Sequence, residues 1–215
     1  MCSSDLAAGT EASAETRRRQ LRLAIALAHY GKLDAEFLFS SLASLDGEEM
    51  TVIAALKEKP FTPAQWKTQW LAAGERADRL GKEKQDWSYK AKLAMVGLAL
   101  SELDLALDLN RADRPDPTQQ TEFIHSYAPR NARVLADLVQ VAASWEDAGL
   151  LYGMSLSLGQ IPADQLGESI TGWMTLLQRW YQEHPDSGVH SAADWTLRQW
   201  GEAPPELAEK PSLEP

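Results

Sequence analysis

Two histidines six positions apart, His184 and His190, share the stretch "HPDSGVHSAADWTLRQWG" (184–201) with Asp186 and Asp194. Imidazole and carboxylate are the groups that ligate transition metals and relay protons. Two further histidines, His29 and His125, and two adjacent acid pairs, Glu48-Glu49 and Glu146-Asp147, complete the inventory of groups that could do such chemistry. Their surroundings argue for structural roles. Pro185, Ser187 and Gly188 mark a turn, and Asp186-Ser187 is suited to cap a helix starting near Val189, with the histidines packed between helices. No His-Glu-x-x-His is present, so the common helical zinc-protease site is missing. His125 lies in "TEFIHSYAP" beside Phe123, Ile124 and Tyr127, and is expected to be buried and hydrogen-bonded to a loop carbonyl. His29 precedes the helix end Tyr30-Gly31, where a cation complements the helix dipole. The acid pairs fall at expected helix starts, which the same dipole favours, and so do not read as general acid/base pairs.

Other chemistries fail on spacing. There is no Gly-x-Ser-x-Gly nucleophile elbow and no Gly-x-Gly-x-x-Gly. "GERADRLGKE" is not a phosphate loop: Gly74 and Gly81 lie two residues too far apart, and Glu83 stands where Ser or Thr must hold magnesium. The expectation is therefore no catalytic, cofactor-binding or metal-ligating residue.

The elements that carry these residues follow from composition and periodicity. The 215 residues are 44% hydrophobic, enough for a sizeable core. A net charge of −10 with one basic run, Arg17-Arg18-Arg19, disfavours nucleic acid and anionic membrane as partners. The single cysteine, Cys2, allows no intrachain disulfide or multi-cysteine zinc site and fits a reducing, cytoplasmic compartment. The longest apolar stretch, Leu93–Leu100, is interrupted by Gly97, so no membrane span is expected. "MCSSDL" (1–6) resembles the translated end of a sequencing adapter; the alternative is a disordered polar terminus. The expected organisation is an N-terminal segment 1–15, a helical domain 16–201 and a Pro/Glu-rich linker or tail 202–215.

Apolar spacing is helical almost throughout. Leu21, Ile25 and Ala28 line one stripe of a helix over 16–30, closed by Gly31. Asp34 can cap the next helix, which carries Phe37, Leu38, Ser41 and Leu42 and is broken by Asp46-Gly47. A helix over 48–58 follows, with Met50, Ile53, Ala54 and Leu56. Thr62-Pro63 is a strong helix start before Trp66, Trp70 and Leu71, and the charged stretch 74–86 continues or loosely connects helices. Helical patterns then cover 87–109, 118–127, 131–144, 146–158, 165–183 and 189–200. The expected class is all-α, with about ten helices. Eight tryptophans, at 66, 70, 87, 145, 173, 180, 195 and 200, are expected to pack the core, with Trp173, Leu176, Leu177 and Trp180 forming one broad stripe. A Trp-containing groove for a partner is the other reading.

Internal similarity points to an array. "RLAIALAHYGKL" (22–33) aligns without gaps to "KLAMVGLALSEL" (92–103), and "LYGMSLSLGQI" (151–161) and "AADWTLRQWG" (192–201) share their endings: Tyr30-Gly31, Leu100-Ser101, Leu158-Gly159 and Trp200-Gly201. Small residues let backbones approach, which suits inner helices of stacked pairs. The endings lie 70, 58 and 42 residues apart, a spacing that fits an irregular HEAT-like array better than a strict repeat; an irregular bundle is the alternative.

The C-terminal stretch resembles a phrase, "DPDPGIHSAAEWLLRRWG", from large bacterial multidomain proteins. It matches at Pro185, Asp186, Gly188, His190, Ser191, Ala192, Ala193, Trp195, Leu197, Arg198, Trp200 and Gly201. "PDPTQQTEFIHSYAP" (115–129) is similar to a second phrase of that family at Asp116, Pro117, Ile124, His125, Ala128 and Pro129, and "QLRLAIALAHYG" (20–31) resembles its alanine-rich opening helix. In that family a HEAT-like helical region lies immediately before a formylglycine-generating-enzyme-like (sulfatase-modifying-factor) domain, often with a serine/threonine kinase domain at the N-terminus. The resemblance implies a position in such a protein, with the catalytic domains outside this chain: no kinase motif and none of the enzyme's cysteines are present. His184 departs from the family's usual Asp or small residue. The expected function is a noncatalytic scaffold or interaction module whose partner is a protein or adjacent domain. A stand-alone adaptor and a small helical enzyme are the other readings.

Overall fold

A computed structural model of the chain describes residues 16, 19–24, 26, 27, 30, 35–44, 61–126 and 132–206. Among them every regular element is helical and no strand occurs. Cys2, His29, Gly31, Asp34, the helix expected over 48–58 with Glu48-Glu49, and Tyr127 lie outside the described residues. The helices are α1 (Ala35–Ser41), α2 (Pro63–Lys84), α3 (Ser88–Ala99), α4 (Asp104–Leu109), α5 (Thr118–Ser126), α6 (Ala132–Ala142), α7 (Ala148–Gly159), α8 (Ile170–Glu183) and α9 (Ser187–Gln199). Short 3-10 segments, Leu42–Ser44 and Ala163–Ser169, follow α1 and precede α8.

Several boundaries are written in local chemistry. Thr62 and Gln65 form a capping box at the start of α2, with Pro63 in its first turn. The helix then runs through the charged stretch 74–86 as far as Lys84, one face of it buried through Trp66, Trp70, Ala73 and Ala77. Asp147 caps α7 by accepting the Leu150 N–H at 2.8 Å.

Within the helical pattern over 87–109 the shared endings place a helix end at Leu100-Ser101, and the chain does break there, between α3 and α4. Ser101 adopts a left-handed φ of +59°. The Glu102 N–H returns to the Gly97 carbonyl at 2.8 Å and the Ser101 N–H to that of Leu98 at 3.1 Å, a Schellman closure. α9 ends identically at Gly201, φ +80°, through Glu202→Leu197 and Gly201→Arg198. The shared ending proposed from sequence is thus real for α3 and α9. It fails for Leu158-Gly159, because Gly159 stays within α7. A Cβ there would lie 2.3 Å from the Trp195 ring, so this glycine serves a helix crossing. Ser101→Gly should raise the melting temperature by a few degrees, or about 0.5–1 kcal/mol, since glycine adopts positive φ without the Cβ penalty. A thermal melt followed by far-UV circular dichroism reads this directly.

α3 and α7 are inner helices, covered almost all round. Antiparallel α2 packs on α3 and crosses it closely at Gly81 against Trp87 and at Gly97 against Trp70. α3 in turn meets α5, α5 meets α7, and α7 meets α9. Trp66, Trp70, Trp145, Trp173 and Trp180 are buried, and so are Leu176 and Leu177 of the predicted stripe.

In the second half of the chain α6 and α8, and α7 and α9, run side by side in the same direction, and the ends of α5 and α7 meet. His125 at the end of α5 meets Gln160 just past α7, 35 residues on. Trp173 of α8 donates its indole N–H to the Leu135 carbonyl of α6, 38 residues back, and Arg179 reaches the Ala143 carbonyl, 36 back. Thr196 of α9 donates to the Ser155 carbonyl of α7 at 2.6 Å, 41 residues back, and Trp200 to that of Ile161, 39 back. Sequence endings 70, 58 and 42 residues apart conceal this step, because α5 lacks the small-residue pattern of α3 and α7.

Candidate functional site

The turn between α8 and α9 gathers His184, Asp186 and His190. Asp186 caps α9, its carboxylate accepting the N–H groups of Gly188 at 2.8 Å and Val189 at 3.1 Å. The helix therefore begins at Ser187, two residues earlier than expected. His184 Nδ1 accepts the Asp186 N–H at 3.1 Å, and the His190 ring donates from Nε2 to the His184 carbonyl. The Tyr181 ring lies 5.8 Å from that of His190. Each histidine thus spends a ring nitrogen on closing the turn. Asp194 pairs with Arg198 one turn along α9 at 2.9 Å. Among the described residues no group of three or more His, Cys, Asp or Glu side chains is placed to hold a metal ion.

His125 corrects an expectation. It is exposed, not buried, and its Nδ1 meets the Gln160 side-chain oxygen at 3.0 Å, not a loop carbonyl. It sits at the end of a short helix that buries only Phe123, so its ring extends past the core. Nor does it join the other histidines. Gly188, in the α8–α9 turn, packs on Tyr152 near the start of α7, whereas His125 sits at the far end of α7. Eight residues of helix separate those two points, roughly 12 Å along its axis.

Two buried polar sites escaped the sequence reading. The first is Lys90 on α3, whose side chain is 1% exposed. Its ammonium pairs with Asp78 of α2 at 2.6 Å and with Asp108 of α4, 5.6 Å from the centre of the Trp87 ring. Arg114 holds the other Asp108 oxygen at 2.5 Å. Burial pushes the Asp108 carboxyl upward, but its bonds to Lys90 and Arg114 outweigh that and hold it below the ordinary carboxylate range. A sequence signal for this site exists: Lys90 stands three, four and seven positions before Leu93, Ala94 and Gly97, on a buried face.

The second is Asn110, fully buried at the end of α4. It fits a notch formed by Gly149 and Gly153 of α7. A Cβ on Gly149 would lie 2.0 Å from the Asn110 carbonyl oxygen, and one on Gly153 2.0 Å from its Oδ1. Asn110 Nδ2 donates to the Ala106 carbonyl, while Oδ1 has no hydrogen-bond partner and rests on the α7 backbone. Both tie one helix to the next.

No helix among the described residues is long and apolar enough to cross a membrane. No family model matches the chain, and neither a curated protein nor a solved structure does.

Proposed function

We propose that the chain is a noncatalytic helical scaffold, an irregular HEAT-like array that presents surfaces to a protein or an adjacent domain. One observation carries this reading: from α5 to α9, helices two apart in sequence meet at separations of 35 to 41 residues, and α6/α8 and α7/α9 run in the same direction. That supports stacked helix pairs, in which each pair buries its apolar face on its neighbours. The placement of several polar side chains adds support: His184, His190 and Asp186 close a turn, while Lys90 and Asp108 tie helices together.

The resemblance of 184–201 to the end of a helical region ahead of a formylglycine-generating-enzyme-like domain extends the proposal. On that reading the module belongs to a larger bacterial protein and holds such a domain in place. The stand-alone adaptor reading is favoured by Trp195, which is 38% exposed over Gly159.

Removal of one step tests the array. Deleting 165–200 should leave α2–α7 folded, with a cooperative melt and proportionally lower helicity. Complete loss of cooperative melting would point to a single indivisible bundle. The adjoining reading frame tests the domain: continuation past Pro215 into a Trp- and Gly-rich domain is expected, and a stop codon there would leave the adaptor.

A further inference from the structure

The chain does not run free after α9. The Glu202 N–H bonds back to the Leu197 carbonyl at 2.9 Å, and residues 202–206 follow without helix or turn. Pro204 and Pro205 hold this piece extended, since each fixes its own φ and keeps the residue before it out of the helical region. Both prolines are half-buried, although they lie outside every helix. At the end of the piece the Gln182 side-chain amide of α8 donates to the Glu206 carbonyl at 3.4 Å. Over 202–206, the segment expected as a linker or tail is a strap laid on α8.

The path of the strap fits α8. α8 and α9 are antiparallel neighbours, with Tyr181 beside His190. Two turns back along α8 and two turns on along α9, Met174 comes opposite Leu197, near which the strap starts. From Met174 to Gln182 α8 rises about 12 Å. Extended chain from Glu202 to Glu206 covers about the same 12 Å. Met174, Gln178 and Gln182 form one i, i+4, i+8 row along α8. The core side of this helix carries Trp173, Leu176, Leu177 and Trp180. Gln178 is turned away from that side and is nonetheless half-buried, whereas Thr171 and Thr175 in the adjoining row are exposed. Extended proline segments are bound in this way elsewhere: their rings give contact at low entropic cost, and their free carbonyls accept from side-chain donors. We infer that the Met174–Gln178–Gln182 row of α8 is a receptor site for an extended proline-containing segment, and that the chain's own 202–206 fills it. One long hydrogen bond and two half-buried rings bind weakly between separate molecules. A short tether supplies an effective concentration on the order of millimolar, so the chain's own segment holds the site and shuts out similar segments from elsewhere. The inference goes beyond the scaffold reading and does not depend on it.

Amide NMR spectra of the isotope-labelled full chain test this. Pro204→Gly/Pro205→Gly loosens the strap without touching a helix, and should shift the backbone signal of Gln178 and the side-chain amide signals of Gln182. The probe is the capped peptide Gly-Glu-Ala-Pro-Pro-Glu, the sequence of 201–206. At millimolar concentration it should move those signals of the variant back toward their native positions, saturably. In the native chain the same peptide should move them severalfold less, because the site is already filled. The peptide with glycine in place of both prolines should act severalfold more weakly on the variant. Gln182→Ala releases the strap at its other end and should shift the Gln178 signal in the same direction as the proline substitutions. Gln178 and Gln182 signals unmoved by the double substitution, a variant that ignores the peptide, or a native chain that responds to it as strongly as the variant would each overturn the inference.

Discussion

Gly149→Ala should lower the melting temperature by roughly 4–12 °C, a loss of about 2–3 kcal/mol. Helix propensity alone gives the opposite sign, because alanine is favoured over glycine in a helix interior by roughly 0.5–1 kcal/mol. Packing reverses it. The new Cβ would lie 2.0 Å from the Asn110 carbonyl oxygen, and a main-chain atom cannot rotate away. Gly153→Ala should cost a similar amount through a different atom, the Asn110 Oδ1, also at 2.0 Å. The two lesions separate in a double-mutant cycle. Adding Asn110→Ala removes the offending side chain and should restore part of the stability lost by Gly153→Ala. It leaves the main-chain carbonyl in place and should restore nothing to Gly149→Ala. Urea titrations of the three single and two double variants measure both couplings. Equal rescue of both glycine variants would mean that Asn110 acts by another route.

Lys90→Ala should cost about 2–4 kcal/mol, because it leaves Asp78 without its cation and Asp108 with Arg114 alone. The full penalty of a wholly buried pair is not expected, since those carboxylates are 41% and 32% exposed. Lys90→Met restores the volume and should recover part of the loss. Acid sensitivity tells charge from packing. The Asp108 carboxyl titrates lower when folded than its ordinary value of 3.8. Its stabilising contribution is therefore complete above that value and disappears as the pH falls through the lower, folded one. The native protein should lose stability on acidification below the ordinary carboxylate range, and Lys90→Met should show a shallower acid limb in melts from neutral to acidic pH. An unaltered limb would mean that Lys90 acts on Asp108 by packing alone.

The parts of this fold that were legible are those fixed by local chemistry. Thr62-Pro63, Asp147 and Asp186 each announced a helix start, because a cap is a bond between neighbours in sequence. The small residues of α3 and α7 announced inner helices for the same kind of reason: a buried helix has no polar face to show. Gly159 was misread because glycine serves both turns and close crossings, and only Trp195, 36 positions on, decides between them. The Ser101 break was legible as an ending shared with Trp200-Gly201, although serine rarely takes the left-handed φ found there. Asn110 and Lys90 were missed because each is satisfied by partners on other helices. Of the candidate site, the α8–α9 turn was readable from 184–190 alone, whereas the exposure of His125 depends on how far α5 extends past the core, which no neighbouring residue records.

The bonds between alternate helices carry a kinetic consequence. Each of them closes a stretch of some 35 to 41 residues and no more. Chain-closure entropy grows only with the logarithm of loop length, so none of these steps waits on a distant end of the polypeptide. The packing of α5 to α9 can then proceed by short local steps. As a new chain emerges during synthesis, each helix can settle on one already made, before the residues that follow it exist.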